Sequence, residues 1–114
     1  MKKFGLSMAA ILVFSVVAMA APKESTFKGE IMDSACAKAG SHDGMMAKAG
    51  LKTAKDCSEA CVKGGNKYVL YNKTSKKVYQ LDDQTKPADF AGKSVKVKGT
   101  LDSATDTIHV SSIQ

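Results

Sequence analysis

The sequence predicts a mainly β domain with short helices, its five strands forming a small barrel with a cysteine-bearing helical insertion after the first strand. Three observations carry that expectation. One alternating run stands near the start, at residues 26–32. Two paired runs follow, at residues 68–81 and 95–111, each broken by a polar turn. Between the first run and the pairs lies a stretch of Ala, Gly, Lys and Met with no strand period.

The chain has 114 residues and opens on Met1-Lys2-Lys3, an uncharged run from Phe4 to Val17, and Ala18-Met19-Ala20 before Ala21. A basic start, an apolar core and a small-residue cleavage site make a secretion signal, with cleavage expected after Ala20. The core falls short of the roughly 20 apolar residues that a bilayer span needs. No cysteine follows it directly, as a lipid anchor would require, since Cys36 is the first. The expected mature form is therefore a periplasmic or secreted protein that does not span the membrane. Residues 21–25 are expected to be a flexible leader and residues 26–114 a single small domain.

In the first run, Phe27, Gly29 and Ile31 share one face and Lys28 and Glu30 the other, as in a half-buried strand. Within the insertion, a short helix is expected over residues 43–49, stopped at Gly50. Asp56-Cys57-Ser58-Glu59 has the form of a capping box, so a second helix should run from Cys57 to about Lys63 and end at Gly64-Gly65. Tyr68-Val69-Leu70-Tyr71 and Val78-Tyr79-Gln80-Leu81 form a hairpin pattern. Lys86-Pro87-Ala88-Asp89-Phe90-Ala91-Gly92 places proline at the start and glycine at the end of a helical turn, with Phe90 expected in the core. The last hairpin alternates Val95, Val97, Gly99 and Leu101 with Lys96, Lys98 and Thr100, then turns into Thr107-Ile108-His109-Val110-Ser111. Strand, helical insertion, hairpin, helical turn, hairpin is the element order of an oligonucleotide- or oligosaccharide-binding (OB) barrel. An open α+β sheet built from the same elements is the alternative.

The net charge is +6, and loss of the two leader lysines lowers it to +4. Every basic residue is lysine, and there is no tryptophan. Readers of nucleic acid rely on arginine forks and stacking aromatics, so no nucleic-acid partner is expected. The lysines are scattered through the chain, as on a solvated surface.

The three cysteines, Cys36, Cys57 and Cys61, all lie in or beside the insertion. Cys57 and Cys61 are four apart and project from one helical face. Near them in sequence stand His42, Met45 and Met46. Three thiolates and one imidazole make a tetrahedral zinc set, whereas His42 with the methionines and a thiolate suits copper(I). A disulfide from Cys36 to Cys57 or Cys61 is the competing use in an oxidising compartment. It would close a loop of about 20 to 25 residues, worth roughly 3 kcal/mol, and leave one thiol over. Thiol redox chemistry is a third use, since Cys57 near a helix N-terminus would favour a thiolate. The C-x-x-x-C spacing is that of neither thiol oxidoreductases nor zinc fingers.

Of the remaining candidates, His109 is expected to be solvent-exposed, Met45 and Met46 to fill core gaps, and Asp82-Asp83 to form a turn or cap. Asn72-Lys73-Thr74 matches the glycosylation acceptor pattern at an expected hairpin tip. No hydrolase, zincin, P-loop or dinucleotide motif occurs, which favours a binding protein over an enzyme. The expected partner is a metal or a peptide, glycan or other component of the envelope.

Gly29-Glu30-Ile31-Met32-Asp33-Ser34-Ala35-Cys36, Asp56-Cys57-Ser58-Glu59-Ala60-Cys61-Val62-Lys63-Gly64-Gly65 and the final hairpin resemble a family of small exported bacterial proteins. That family is catalogued as a domain of unknown function. Its distinctive part is the D-S-x-C … C-x-x-x-C-V arrangement. The resemblance implies the OB-like architecture and a histidine soon after the first cysteine, but supplies no activity. Here five residues separate Cys36 from His42.

Overall fold

The computed structural model describes residues 23–114 and, ahead of them, Ser15. The expected signal segment and the first residues of the leader therefore lie outside the described residues, apart from Ser15. Five strands, β1 (Ser25–Asp33), β2 (Tyr68–Asn72), β3 (Lys77–Leu81), β4 (Ser94–Asp102) and β5 (Thr107–Ile113), close into a barrel in the order β1-β2-β3-β5-β4. All neighbours are antiparallel except β3 and β5, which run parallel. The barrel is the expected fold, and the open sheet is excluded by the β1–β4 pairing that closes it.

Strand β1 serves two neighbours in turn: Ser25 to Glu30 pair with β4, and Glu30 to Asp33 pair with β2. It extends one residue past the expected strand at each end. Between β4 and β5 the register shifts at Lys98/Gly99, where a side chain on Gly99 would run into the backbone of His109.

The insertion holds three helices where two were expected: α1 (Ser34–Ala39), α2 (Asp43–Ala49) and α3 (Ala54–Lys63). Helix α1 was not legible because it is only six residues long. It is set by the Asp33 side chain, which accepts from the Cys36 amide at 2.9 Å, and by Gly40, left-handed at φ 82°. Helix α3 starts a turn earlier than its expected capping box. Its cap is Thr53, whose hydroxyl accepts from the Asp56 amide at 3.1 Å, so Asp56 is the third residue of the helix. A 3₁₀ turn, Lys86–Phe90, leads into β4 with Pro87 buried and Phe90 packed against the barrel core. Asp83 accepts from the amides of Thr85 and Lys86, a turn role within the turn or cap expected of Asp82-Asp83, and the Lys86 ammonium beside it holds its carboxyl at about 2.

Two apolar clusters share the same strands. Inside the barrel lie Ile31, Tyr68, Leu70, Leu81, Val95, Val97 and Ile108. Between the outer barrel wall and the helices lie Met32, Cys36, Ala37, Cys57, Val69 and Tyr71. Ile31 and Met32, like Leu70 and Val69, point to opposite sides, as the two-residue period demands. The end of β1 and all of β2 up to Tyr71 are thus buried on both faces. The insertion is the second layer over one wall, and the site forms in the seam between the two.

The N-terminus of α3 is held close to the turn after the 3₁₀ segment. A side-chain carbon on Gly92 would stand 2.5 Å from the Lys55 amide nitrogen, and Gly92 is itself left-handed at φ 74°. Only glycine meets both conditions without strain.

A thiol and carboxylate cluster under the helical insertion

Each cysteine reaches the seam from a different place in the chain. Cys36 sits in α1, aimed by the Asp33 cap; Cys57 and Cys61 lie one turn apart on α3. The Cys36 and Cys57 sulfurs are 3.7 Å apart. Ligand atoms of Asp33, Cys36, Cys57 and Cys61 all lie within 4.8 Å of one another. Asp33, Cys36 and Cys57 are buried and Cys61 is half-buried.

Asp33 was not among the sequence candidates. Its signal was present, as an acidic residue ending a strand three positions before a cysteine, but it reads equally as a simple helix cap. The structure gives it both places. Oδ2 takes the Cys36 amide, while Oδ1 is buried without a hydrogen-bond partner among the described residues. A fully buried carboxylate oxygen without a hydrogen-bond partner is costly.

That carboxylate also shapes the thiols. Burial pushes the Cys36 thiol well up from the ordinary range, and hydrogen bonding to Asp33 and Cys57 raises it further. Burial likewise raises Cys61, with the negative charge of Asp33 next in weight. The free amides expected to favour a Cys57 thiolate belong instead to residues one turn earlier, because the Cys57 amide already donates to the Thr53 carbonyl at 3.1 Å.

His42 lies outside the four-residue cluster but against it. Its side chain is buried, with Nε2 3.3 Å from Glu30 Oε2 and Nδ1 4.0 Å from Asp33 Oδ1. Nδ1 has no hydrogen-bond partner among the described residues. Met46 packs against the seam as expected of a gap-filler, whereas Met45 is exposed, which corrects its expected core role. Met45 lines a surface depression with Cys36, Ala39 and Ser41 that leads toward the thiols.

His109 is exposed, as its strand position predicts, and Nδ1 pairs with Asp82 at 3.0 Å. Asn72 spends its side chain locally: Nδ2 donates to the Lys28 carbonyl, and Oδ1 accepts from the amides of Thr74 and Ser75. Where β1 passes from β4 to β2, a cavity of about 660 Å³ opens, lined by Lys28, Lys73, Lys96, Asn72 and Glu30 among others. No helix among the described residues is long and apolar enough to cross a membrane.

No curated protein and no solved structure matches the chain. Residues 62–114 match the family described as a protein of unknown function, DUF5818. The match begins one residue after Cys61 and takes in strands β2 to β5, so the cluster is built on its border by the segment that precedes it. Residues 62–114 are thus similar to the DUF5818 family, and that segment forms four of the five strands of a small closed barrel.

Proposed function

We propose that this chain is a small exported, non-enzymatic protein that binds a zinc or copper ion through Cys36, Cys57, Cys61 and Asp33. The observation that carries the reading is the convergence of three sulfurs and one fully buried carboxylate within 4.8 Å. Four donors on three short elements match the number in a closed tetrahedral site. The buried charge of Asp33 supplies a reason for a cation that thiols alone would not. Metal binding would also tie α1 and α3 to β1, which suits a domain too small for a large core. Periplasmic or secreted placement follows from the leader composition. The test is metal stoichiometry by mass spectrometry on reduced protein titrated with zinc and with copper(I). One ion per chain is expected, and binding that survives conversion of all three cysteines to serine would sink the reading.

The Cys36–Cys57 separation of 3.7 Å favours a second reading. A short side-chain rotation would join the sulfurs, stapling the insertion to a barrel whose lysine-lined cavity receives an anionic peptide, glycan or other envelope component. Mass analysis without reductant, on protein taken from its native compartment, separates the two. A Cys36–Cys57 crosslink supports the staple, and three free thiols with bound metal remove it.

A further inference from the structure

Glu30, when ionised, offers His42 only acceptor atoms, so the hydrogen of a neutral imidazole belongs on Nε2, 3.3 Å from Glu30 Oε2. That leaves a lone pair on Nδ1. The nearest partner on offer is Asp33 Oδ1, 4.0 Å away and also an acceptor. Both atoms are buried and neither has a hydrogen-bond partner within bonding distance among the described residues, the Cys36 and Cys61 thiols being the donors beside the Asp33 carboxyl. Two buried lone pairs that face each other are a place for a cation.

Resting on the thiol and carboxylate reading above, we propose that His42 Nδ1 is a further ligand of the same metal, with Glu30 as the outer partner that fixes its tautomer. The metal is then a divalent ion of the zinc class and not copper(I). His42 makes the site five-coordinate, and zinc bonds of about 2.0–2.2 Å to nitrogen and oxygen then put adjacent donors roughly 3.0–3.6 Å apart. The observed separation is 4.0 Å. A carboxylate and an imidazole are hard and borderline donors, while copper(I) selects thiolates and thioethers. Carboxylate behind histidine is a general device for aiming an imidazole at a metal.

The test uses residues 21–114, which contain every described strand and helix, reduced and labelled with ¹⁵N. Long-range imidazole spectra are recorded metal-free, with zinc, with ¹¹³Cd and with copper(I). The metal-free His42 is expected as the Nε2–H tautomer. Zinc should move its Nδ1 resonance, and cadmium should show coupling to His42 as well as to cysteine β-protons. Copper(I) should shift the cysteine β-protons and leave His42 unmoved. Glu30→Gln should lower zinc affinity by about 10- to 100-fold while the cadmium–cysteine couplings remain. Cadmium coupled to cysteines with His42 unchanged would overturn the inference and leave the thiol site standing. So would His42 carrying protons on both nitrogens with and without metal. A copper(I) complex that shifts Nδ1 as zinc does would overturn the choice of metal class. Failure of every ion to bind would remove the thiol site and this inference with it.

Discussion

Cys36 and Cys57 are 21 positions apart in the chain, yet their sulfurs lie 3.7 Å from each other in the seam between insertion and barrel. The closeness is made by two caps. Asp33 starts α1 three residues before Cys36, and Thr53 starts α3 four residues before Cys57. Each helix is too short to hold its own shape in water, so packing and caps position the thiols.

Metal-free protein exposed to a mild oxidant should form the Cys36–Cys57 disulfide in preference to any bridge to Cys61. The gain in stability should be about 3 kcal/mol. Peptide mapping after alkylation identifies the pair, and denaturant unfolding gives the gain. Zinc added first should slow the reaction; oxidation at the same rate with and without zinc would argue against shared ligands.

Asp33→Asn keeps an oxygen able to cap α1 but removes the buried charge. Metal affinity should fall by tenfold or more, while metal-free stability should hold or rise, since an uncompensated carboxylate is gone. Cys61 should be alkylated faster at a given pH, because the Asp33 charge that helps raise its titration is lost. Calorimetry and timed alkylation read the two effects separately.

The thiols make the reduced, metal-free protein sensitive to alkali. Cys36 and Cys61 titrate higher in the folded state than in the unfolded chain. Their contribution is therefore complete below the unfolded thiol value, near 8.5, and is lost as pH rises toward the folded values. Denaturant midpoints should drop above about pH 8.5, and the slope should flatten in Cys36→Ser.

Gly92→Ala forces a left-handed alanine against the Lys55 amide. A loss of about 1–3 kcal/mol is expected, measured by thermal unfolding. Because the clash falls on the first turn of α3, metal affinity should fall as well. Gly50→Ala is the control: it carries the same type of strain at φ 66° with open space around it, and should lower stability less.

At the far side of the barrel, Asp82 accepts from the Val110 amide at 2.8 Å and pairs with His109. The Val110 hydrogen bond, then His109, holds its carboxyl below the usual range. Stability from this group is present above the unfolded carboxylate value and lost as pH falls through the folded one. Asp82→Ala should flatten the acid limb of a stability–pH profile without changing metal binding.

The barrel was legible in local pattern. Val95, Val97 and Gly99 alternate with lysines because β4 has one face in the core and one in water, and that period survives in the sequence. The strand Tyr68–Asn72 reads differently, as a solid apolar run. The insertion covers its outer face, so Val69 and Tyr71 are buried as deeply as Tyr68 and Leu70. The sequence reading placed the cysteines in the insertion and put Cys57 and Cys61 on one helical face, since both facts follow from spacing.

What the sequence determined by itself was therefore the features with a short period or fixed spacing: the strands, the hairpins, α2, the three thiols and the paired face of α3. Tertiary structure alone decided which groups meet. Closing β1 against both β2 and β4 brings Asp33 beneath the helices and sets Glu30 and His42 side by side. Those contacts depend on where α1 and α3 dock across a buried seam, a sum of long-range packing that no window of neighbouring residues contains.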